Sequence, residues 1–157
     1  MAGSIDFYFD FSSPYGYLAA EMIEAVGQRC GRGVNWHPIL LGVIFKTTGA
    51  QPLTMAPMKG PYSEKDFRRS AAYYGVPYKA PSVFPIAGQN PSRAVLWMQQ
   101  HHPEHAKAFA LELYRAFFRH DRDISKLDVV GDIATALGHS ADDVIAALDR
   151  PREEARR

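Results

Sequence analysis

The chain is poor in cysteine, with one, Cys30, in 157 residues. No disulfide framework can form within it, and a reducing compartment, the cytoplasm, is the expected location. It also lacks an excess of charge of either sign. Eighteen lysines and arginines against seventeen acidic residues leave a formal net charge of +1. That balance offers no electrostatic footprint for nucleic acid or anionic lipid. No apolar run approaches the ~20 residues that cross a bilayer, so no membrane partner is expected. The opening Met-Ala-Gly-Ser-Ile-Asp has neither a basic region nor a long apolar segment, and shows no secretory signal. Internal repeats and low-complexity tracts are missing too. What is present, 46% hydrophobic and 22% charged residues, reads as a globular chain. Its length suits one core, or one core with an inserted lobe.

Ile5, Phe7, Phe9 and Phe11 alternate with Asp6, Tyr8 and Asp10, the period of a strand. From Pro14 the period changes. Tyr15, Leu18, Ala19, Met22, Ile23 and Val26 share one helical face, and Gly31 and Gly33 suit its stop. Val34, Trp36 and Ile39 predict a second strand, with Pro38 near its end. Two strands joined by a helix make a parallel βαβ unit. Glycines 42, 49 and 60 and prolines 52, 57 and 61 mark residues 40–62 as a loop, with a short helix around Val43 to Lys46.

Beyond that loop the signals predict about five helices. One is N-capped by Ser63 and ended by Gly75, and one opens at Asn90-Pro91. The strongest begins at Pro103, with Ala106, Phe109, Ala110, Leu113, Tyr114 and Phe117 at helical spacing. Two more start from capping boxes, Ser125 with Asp128 and Ser140 with Asp143, separated by Gly138. Residues 149–157 form a charged, solvated tail. A two-stranded sheet rarely stands alone. With no later strand to cover its edge, the first strand predicts pairing with another copy, a homodimer.

Residues 9–16 read Phe-Asp-Phe-Ser-Ser-Pro-Tyr-Gly. They put Ser13 where a strand hands over to a helix, with Pro14 at the first helical position. Two readings stand. A serine cap before proline is an ordinary architectural device. A hydroxyl beside the free amides and partial positive charge of a helix start can also hold an anion, and a thiolate is one candidate. His101, His102 and His105 cluster around Pro103 without a cysteine partner or a typical ligand spacing, so no metal is expected. Cys30 reads as a packed or surface residue. The helix pair around Gly138 has the outline of a helix-turn-helix. Asp142, Asp143 and Asp149 make its second helix acidic, against DNA.

Residues 7–19, Phe-Tyr-Phe-Asp-Phe-Ser-Ser-Pro-Tyr-Gly-Tyr-Leu-Ala, resemble the N-terminal signature of 2-hydroxychromene-2-carboxylate isomerases. These enzymes are close relatives of kappa-class glutathione transferases. Residues 38–52 are similar to the family's segment after its second strand, and Met58-Lys59-Gly60 and residues 90–97 are family-like. The resemblance implies an α/β, thioredoxin-like fold. Residues 1–62 would be the N-terminal half of that domain, residues 63–150 a large all-helical insertion, and residues 151–157 a tail. It implies further that the C-terminal ββα half, which follows a Val-Phe-Gly-x-Pro segment in the family, is absent from this chain.

In that family Ser13 would stand at the first cysteine of the thioredoxin Cys-x-x-Cys. The tetrad here is Ser13-Pro14-Tyr15-Gly16, so dithiol–disulfide exchange is excluded at this place. The resemblance implies glutathione as cofactor, with Ser13 as the catalytic residue that steadies its thiolate. Lys59, Pro14 and Tyr15 would hold the cofactor, and Lys46 and Phe11 would meet the substrate. The implied reaction is cis–trans isomerisation of 2-hydroxychromene-2-carboxylate or a related aromatic 2-oxo acid. Kappa-like transferase or peroxidase chemistry is one alternative. A truncated, non-catalytic member that dimerises is another. Two departures from the family stand out: Ala50 where asparagine is common, and Gly16 where serine or another residue is usual.

Overall fold

The computed structural model describes residues 3–149. Strands β1 (Ile5–Phe9) and β2 (Val34–Pro38) pair in parallel, from Ile5 opposite Val34 to Phe9 opposite Pro38. Helix α1 (Pro14–Arg29) connects them, so the expected βαβ unit is present. Alternation sorts the two faces. Phe7 and Phe9 meet the Trp36 ring at centroid distances of 5.0 and 5.4 Å. Tyr8 stacks on His37 on the open face, 4.8 Å between centroids. There Asp6 accepts a hydrogen bond from the Asn35 amide and faces the His37 ring, both at 3.0 Å. Those two partners hold its carboxyl below the usual range.

β1 stops two residues before its alternation does. At Asp10 the chain turns, and the Ser13 amide donates to the Asp10 carbonyl at 3.0 Å. Phe11 therefore lies in a turn, although it is fully buried. α1 ends where the glycines predict, with Cys30 exposed at its C-cap and Gly31 at φ 63°.

Helix α2 (Leu41–Thr48), a 3-10 turn (Leu53–Met55) and helix α3 (Lys59–Tyr74) follow. α3 begins four residues ahead of the predicted Ser63 cap. Gly60 allows this, because a Cβ there would come within 2.5 Å of the Thr54 carbonyl oxygen. Pro61 is tolerated in the first turn, where its missing amide would have no partner. Ser63 then sits inside the helix, donating back to the Gly60 carbonyl at 2.7 Å.

The remaining helices are α4 (Gln89–His101), α5 (Pro103–Phe118), α6 (Leu127–Ala136) and α7 (Ala141–Asp149). Asn90 is not a cap: its side-chain amide donates to the Ser125 carbonyl at 2.8 Å and staples α4 to the approach of α6. Ser125 is not half of a capping box either. Its hydroxyl donates to Asp123 at 2.5 Å, a local turn that outcompetes the cap. Ser140 does cap α7, accepting the Asp143 amide at 3.2 Å.

α5 is the axis of the core. Phe109, Leu113, Tyr114, Phe117 and Phe118 are all buried, each large apolar side chain contributing about 1.5–3 kcal/mol. An aromatic column runs from the sheet into it, Phe9 to Phe11 at 5.4 Å and Phe11 to Tyr114 at 4.8 Å. Arg115 forks onto both Glu21 oxygens at 2.8 Å, tying α5 to α1. Among the described residues no helix is long and apolar enough to cross a membrane. The predicted tail, residues 151–157, lies outside the described residues.

Candidate active site

Ser13 caps α1 in an extended conformation (φ −96°, ψ 112°), and its Oγ accepts the Gly16 amide at 3.0 Å. Its carbonyl accepts the Tyr17 amide at 3.0 Å. Pro14, at the first helical position, has no amide to offer. Two donors then lack an acceptor among the described residues: the Ser13 hydroxyl proton and the Tyr15 amide. Both belong to the positive end of the helix.

A cavity of about 380 Å³ opens beside these donors. The β1–α1 turn supplies Asp10, Ser12, Ser13 and Pro14 to its wall, and α2 supplies Leu41, Val43, Phe45 and Lys46. Phe67 of α3 and the loop at 84–89, whose Phe84–Pro85 peptide is cis, complete it. The wall is largely apolar, with Asp10 and Lys46 as its charged members.

Tyr15 stands in the wall between turn and α3. Its ring meets Phe67 edge-on at 4.5 Å, and its hydroxyl donates to Asp66 Oδ2 at 2.6 Å. Partial burial, reinforced by the Asp66 carboxylate, pushes the phenol up to about 12. Tyr15 therefore stays neutral, with its proton committed to Asp66. Asp66 is held in turn by Arg69 at 2.6 Å.

Gly16 answers to a neighbour from α5. A Cβ at this position would lie 2.6 Å from the Tyr114 hydroxyl. That hydroxyl is buried and donates to the Asp10 carbonyl at 2.7 Å. Burial pushes the Tyr114 phenol well above its ordinary value, so it remains a donor.

The structure brings Ser13, Pro14, Tyr15 and Lys46 together on one cavity. Lys59 stands apart: it is the exposed first residue of α3 and does not line that wall. Phe11, the substrate-side residue of the family resemblance, is instead 0% exposed, packed against Phe9 and Tyr114, and outside the cavity lining. The turn rotates it inward, which the strand alternation cannot register. Asp10 and the loop at 84–89 were missed. A carboxylate between two buried phenylalanines was the one visible signal for Asp10; the loop carried none.

A second polar cluster lies far along the chain. His105 Nδ1 is 3.0 Å from His139 Nε2, and the His102 ring is 4.5 Å from that of His139. Among the described residues no group of three or more histidine, cysteine or acidic side chains is placed to hold a metal. Desolvation, then the positive potential of His102 and His105, lowers the His139 pKa.

Residues 4–156 match the family model described as a DSBA-like thioredoxin domain. Over 81 residues the chain is 35% identical to glutathione S-transferase kappa 1 of Caenorhabditis elegans, covering 51% of this chain and 36% of that one. Over 93 residues it is 32% identical to 2-hydroxychromene-2-carboxylate isomerase of Sphingobium xenophagum, covering 57% and 47%. The chain thus spans under half the length of either of these curated relatives. A solved structure of 2-hydroxychromene-2-carboxylate isomerase superposes with a TM-score of 0.81 at 22% identity, covering 96% of this chain and 73% of that one. That likeness bears on the fold.

Proposed function

The chain belongs to the family of DsbA-like thioredoxin domains, and from there we propose that it holds glutathione at the Ser13 turn and isomerises an aromatic 2-oxo acid of the 2-hydroxychromene-2-carboxylate kind. One observation carries the reading. The Ser13 hydroxyl and the Tyr15 amide are donors without acceptors among the described residues, at a helix N-terminus beside a cavity of about 380 Å³. That volume lies in the range of small-molecule sites. Donors so placed favour a thiolate over a thiol. The relatives named kappa glutathione transferase and 2-hydroxychromene-2-carboxylate isomerase support glutathione as the guest.

A bound glutathione would supply a sulfur nucleophile for reversible addition to the unsaturated chain of the oxo acid; after rotation about the former double bond, cleavage of the new C–S bond would restore the double bond and return the thiolate unchanged. The protein's own part is binding and orientation. Ser13 donates a hydrogen bond to the sulfur and, through its accepting lone pair, stays fixed by the Gly16 amide. Buried Pro14 stiffens the turn. Tyr15, Phe67 and Phe84 present aromatic surface to the substrate ring and exclude water. Lys46 pairs with a substrate carboxylate, and Lys59 reaches the tripeptide from the start of α3.

The test is isomerisation of 2-hydroxychromene-2-carboxylate, with and without glutathione, by wild type and Ser13→Ala. The substitution removes a cap interaction worth about 1 kcal/mol. It should lower turnover by about 10²–10³, the size of losing one preorganised donor. Glutathione-independent turnover, or full activity of Ser13→Ala, overturns the proposal. The 35% identity to a kappa enzyme favours glutathione conjugation as a second reading, which an aryl-halide assay separates from the first.

A further inference from the structure

Asp10 is the only charged side chain buried among the described residues, at 5% exposure. A carboxylate withdrawn from water without a counter-ion is destabilising unless donors surround it. Three do. Oδ1 accepts the Ser12 amide at 2.6 Å and the Ser12 hydroxyl at 2.5 Å, and Oδ2 accepts the Leu41 amide at 2.7 Å. The first two donors belong to the turn that carries Ser13. The third is the first amide of α2, the helix that carries Lys46. The Asp10 carbonyl holds the same turn from behind, accepting the Ser13 amide at 3.0 Å and the Tyr114 hydroxyl at 2.7 Å.

We propose that Asp10 is the positioning residue of the site: its carboxylate locks the Ser13 turn to the N-terminus of α2. The spacing between the sulfur-binding donors and Lys46 is then set by one side chain. This inference rests on the glutathione reading for its functional consequence. Asparagine cannot replace the carboxylate. Its single oxygen satisfies either the Ser12 amide or the Leu41 amide, and its NH₂ group confronts the other N–H.

Charge and placement make opposite predictions for Asp10→Asn. Removing a negative charge near the sulfur, by itself, lowers the pKa of the bound thiol. Releasing the turn withdraws the Ser13 donor and raises it. The experiment follows thiolate ultraviolet absorbance of bound glutathione against pH, alongside isomerase kinetics and residue-resolved amide exchange. Asp10→Asn should raise the bound-thiol pKa by about one unit, the linkage equivalent of a tenfold loss of thiolate preference. It should lower kcat by about 100-fold, as a misplacement of about 1 Å does. Exchange should quicken at Ser12 and Leu41 while α5 stays protected.

A fall in thiol pKa, or an unchanged pKa and kcat with only a lower melting temperature, overturns the assignment. Leu41→Pro gives a second route if Asp10→Asn does not fold. It deletes the one α2 donor at the first helical position, where proline is tolerated, and Leu40 is already extended (φ −117°, ψ 97°) as a residue before proline prefers. It should shift the thiol pKa upward and lose protection at Ser12, and no change in either sinks the idea. If wild type binds no glutathione, the functional reading fails by itself. The exchange measurement then still decides whether Asp10 holds the two elements together.

Discussion

Gly16→Ala sets two opposed effects against each other. Alanine is the better helix former by about 0.8–1 kcal/mol, so an open site would gain stability. The site is not open. The new methyl would stand 2.6 Å from the Tyr114 hydroxyl and 3.2 Å from Ser13 Cβ. Tyr114 is fully buried and cannot retreat without breaking its 2.7 Å bond to the Asp10 carbonyl. Overpacking costs about 1–3 kcal/mol, and stretching that hydrogen bond about 0.5–1.5 more. The clash wins, with a net loss of about 1–3 kcal/mol after the propensity gain. Tyr114→Phe alone should cost about 1 kcal/mol, since the Asp10 carbonyl keeps the Ser13 amide. In the Tyr114→Phe background the oxygen is gone, and Gly16→Ala should be neutral or slightly stabilising. A four-protein urea-unfolding cycle reads the coupling, expected at about 1.5 kcal/mol or more. Additivity within about 0.5 kcal/mol refutes the reasoning, because it would mean that the phenol oxygen does not fill the space glycine leaves.

Two further outcomes are open to measurement. Lys46→Met should raise KM for the oxo acid by about 10–150-fold, the value of a hydrogen bond to a charged group, while Lys59→Met should act mainly on the KM for glutathione; steady-state kinetics in both co-substrates separates them, and equal effects would mean that the cavity wall does not select between these lysines. The lowered His139 pKa means that the unfolded chain binds a proton there more readily than the folded one. Its stabilising contribution is complete above the ordinary value of 6.5 and is lost as pH falls through the depressed folded value. His102, His105 and Glu104 are the ionisable groups facing it. Melting temperatures from pH 8 down to pH 5 should therefore fall less for His139→Gln than for wild type, and parallel curves would contradict the pair geometry.

What could be read from sequence was whatever one element decides alone. The α5 face is a single uninterrupted helical stripe; every residue of the predicted stripe is buried, and Ala116 and Phe118 are buried beside it. The β1–α1–β2 order follows from a change of period at Pro14, and the Ser13 cap from local chemistry. The misreadings share a different cause. Ser63, Asn90 and Ser125 carry cap-like side chains whose oxygens and amides found other partners: the Gly60 carbonyl, the Ser125 carbonyl and the Asp123 carboxylate. Phe11 continues the strand's rhythm after the strand has stopped. Asp10 meets Leu41 thirty-one positions away, and Phe84 joins the Ser13 wall across a longer interval still. No local pattern encodes such meetings. Lys59 and Lys46 are both loop-region lysines in sequence, and only the third dimension puts one of them in the wall.

Helix α1 carries the Ser13 turn at one end and Cys30, exposed, at the other. At about 1.5 Å per residue the two are roughly 25 Å apart. A maleimide dye attached to this 157-residue chain would go to its single thiol. Such a probe would sit clear of the cleft yet on the same rigid rod, well spaced for energy transfer to an acceptor carried by an incoming ligand.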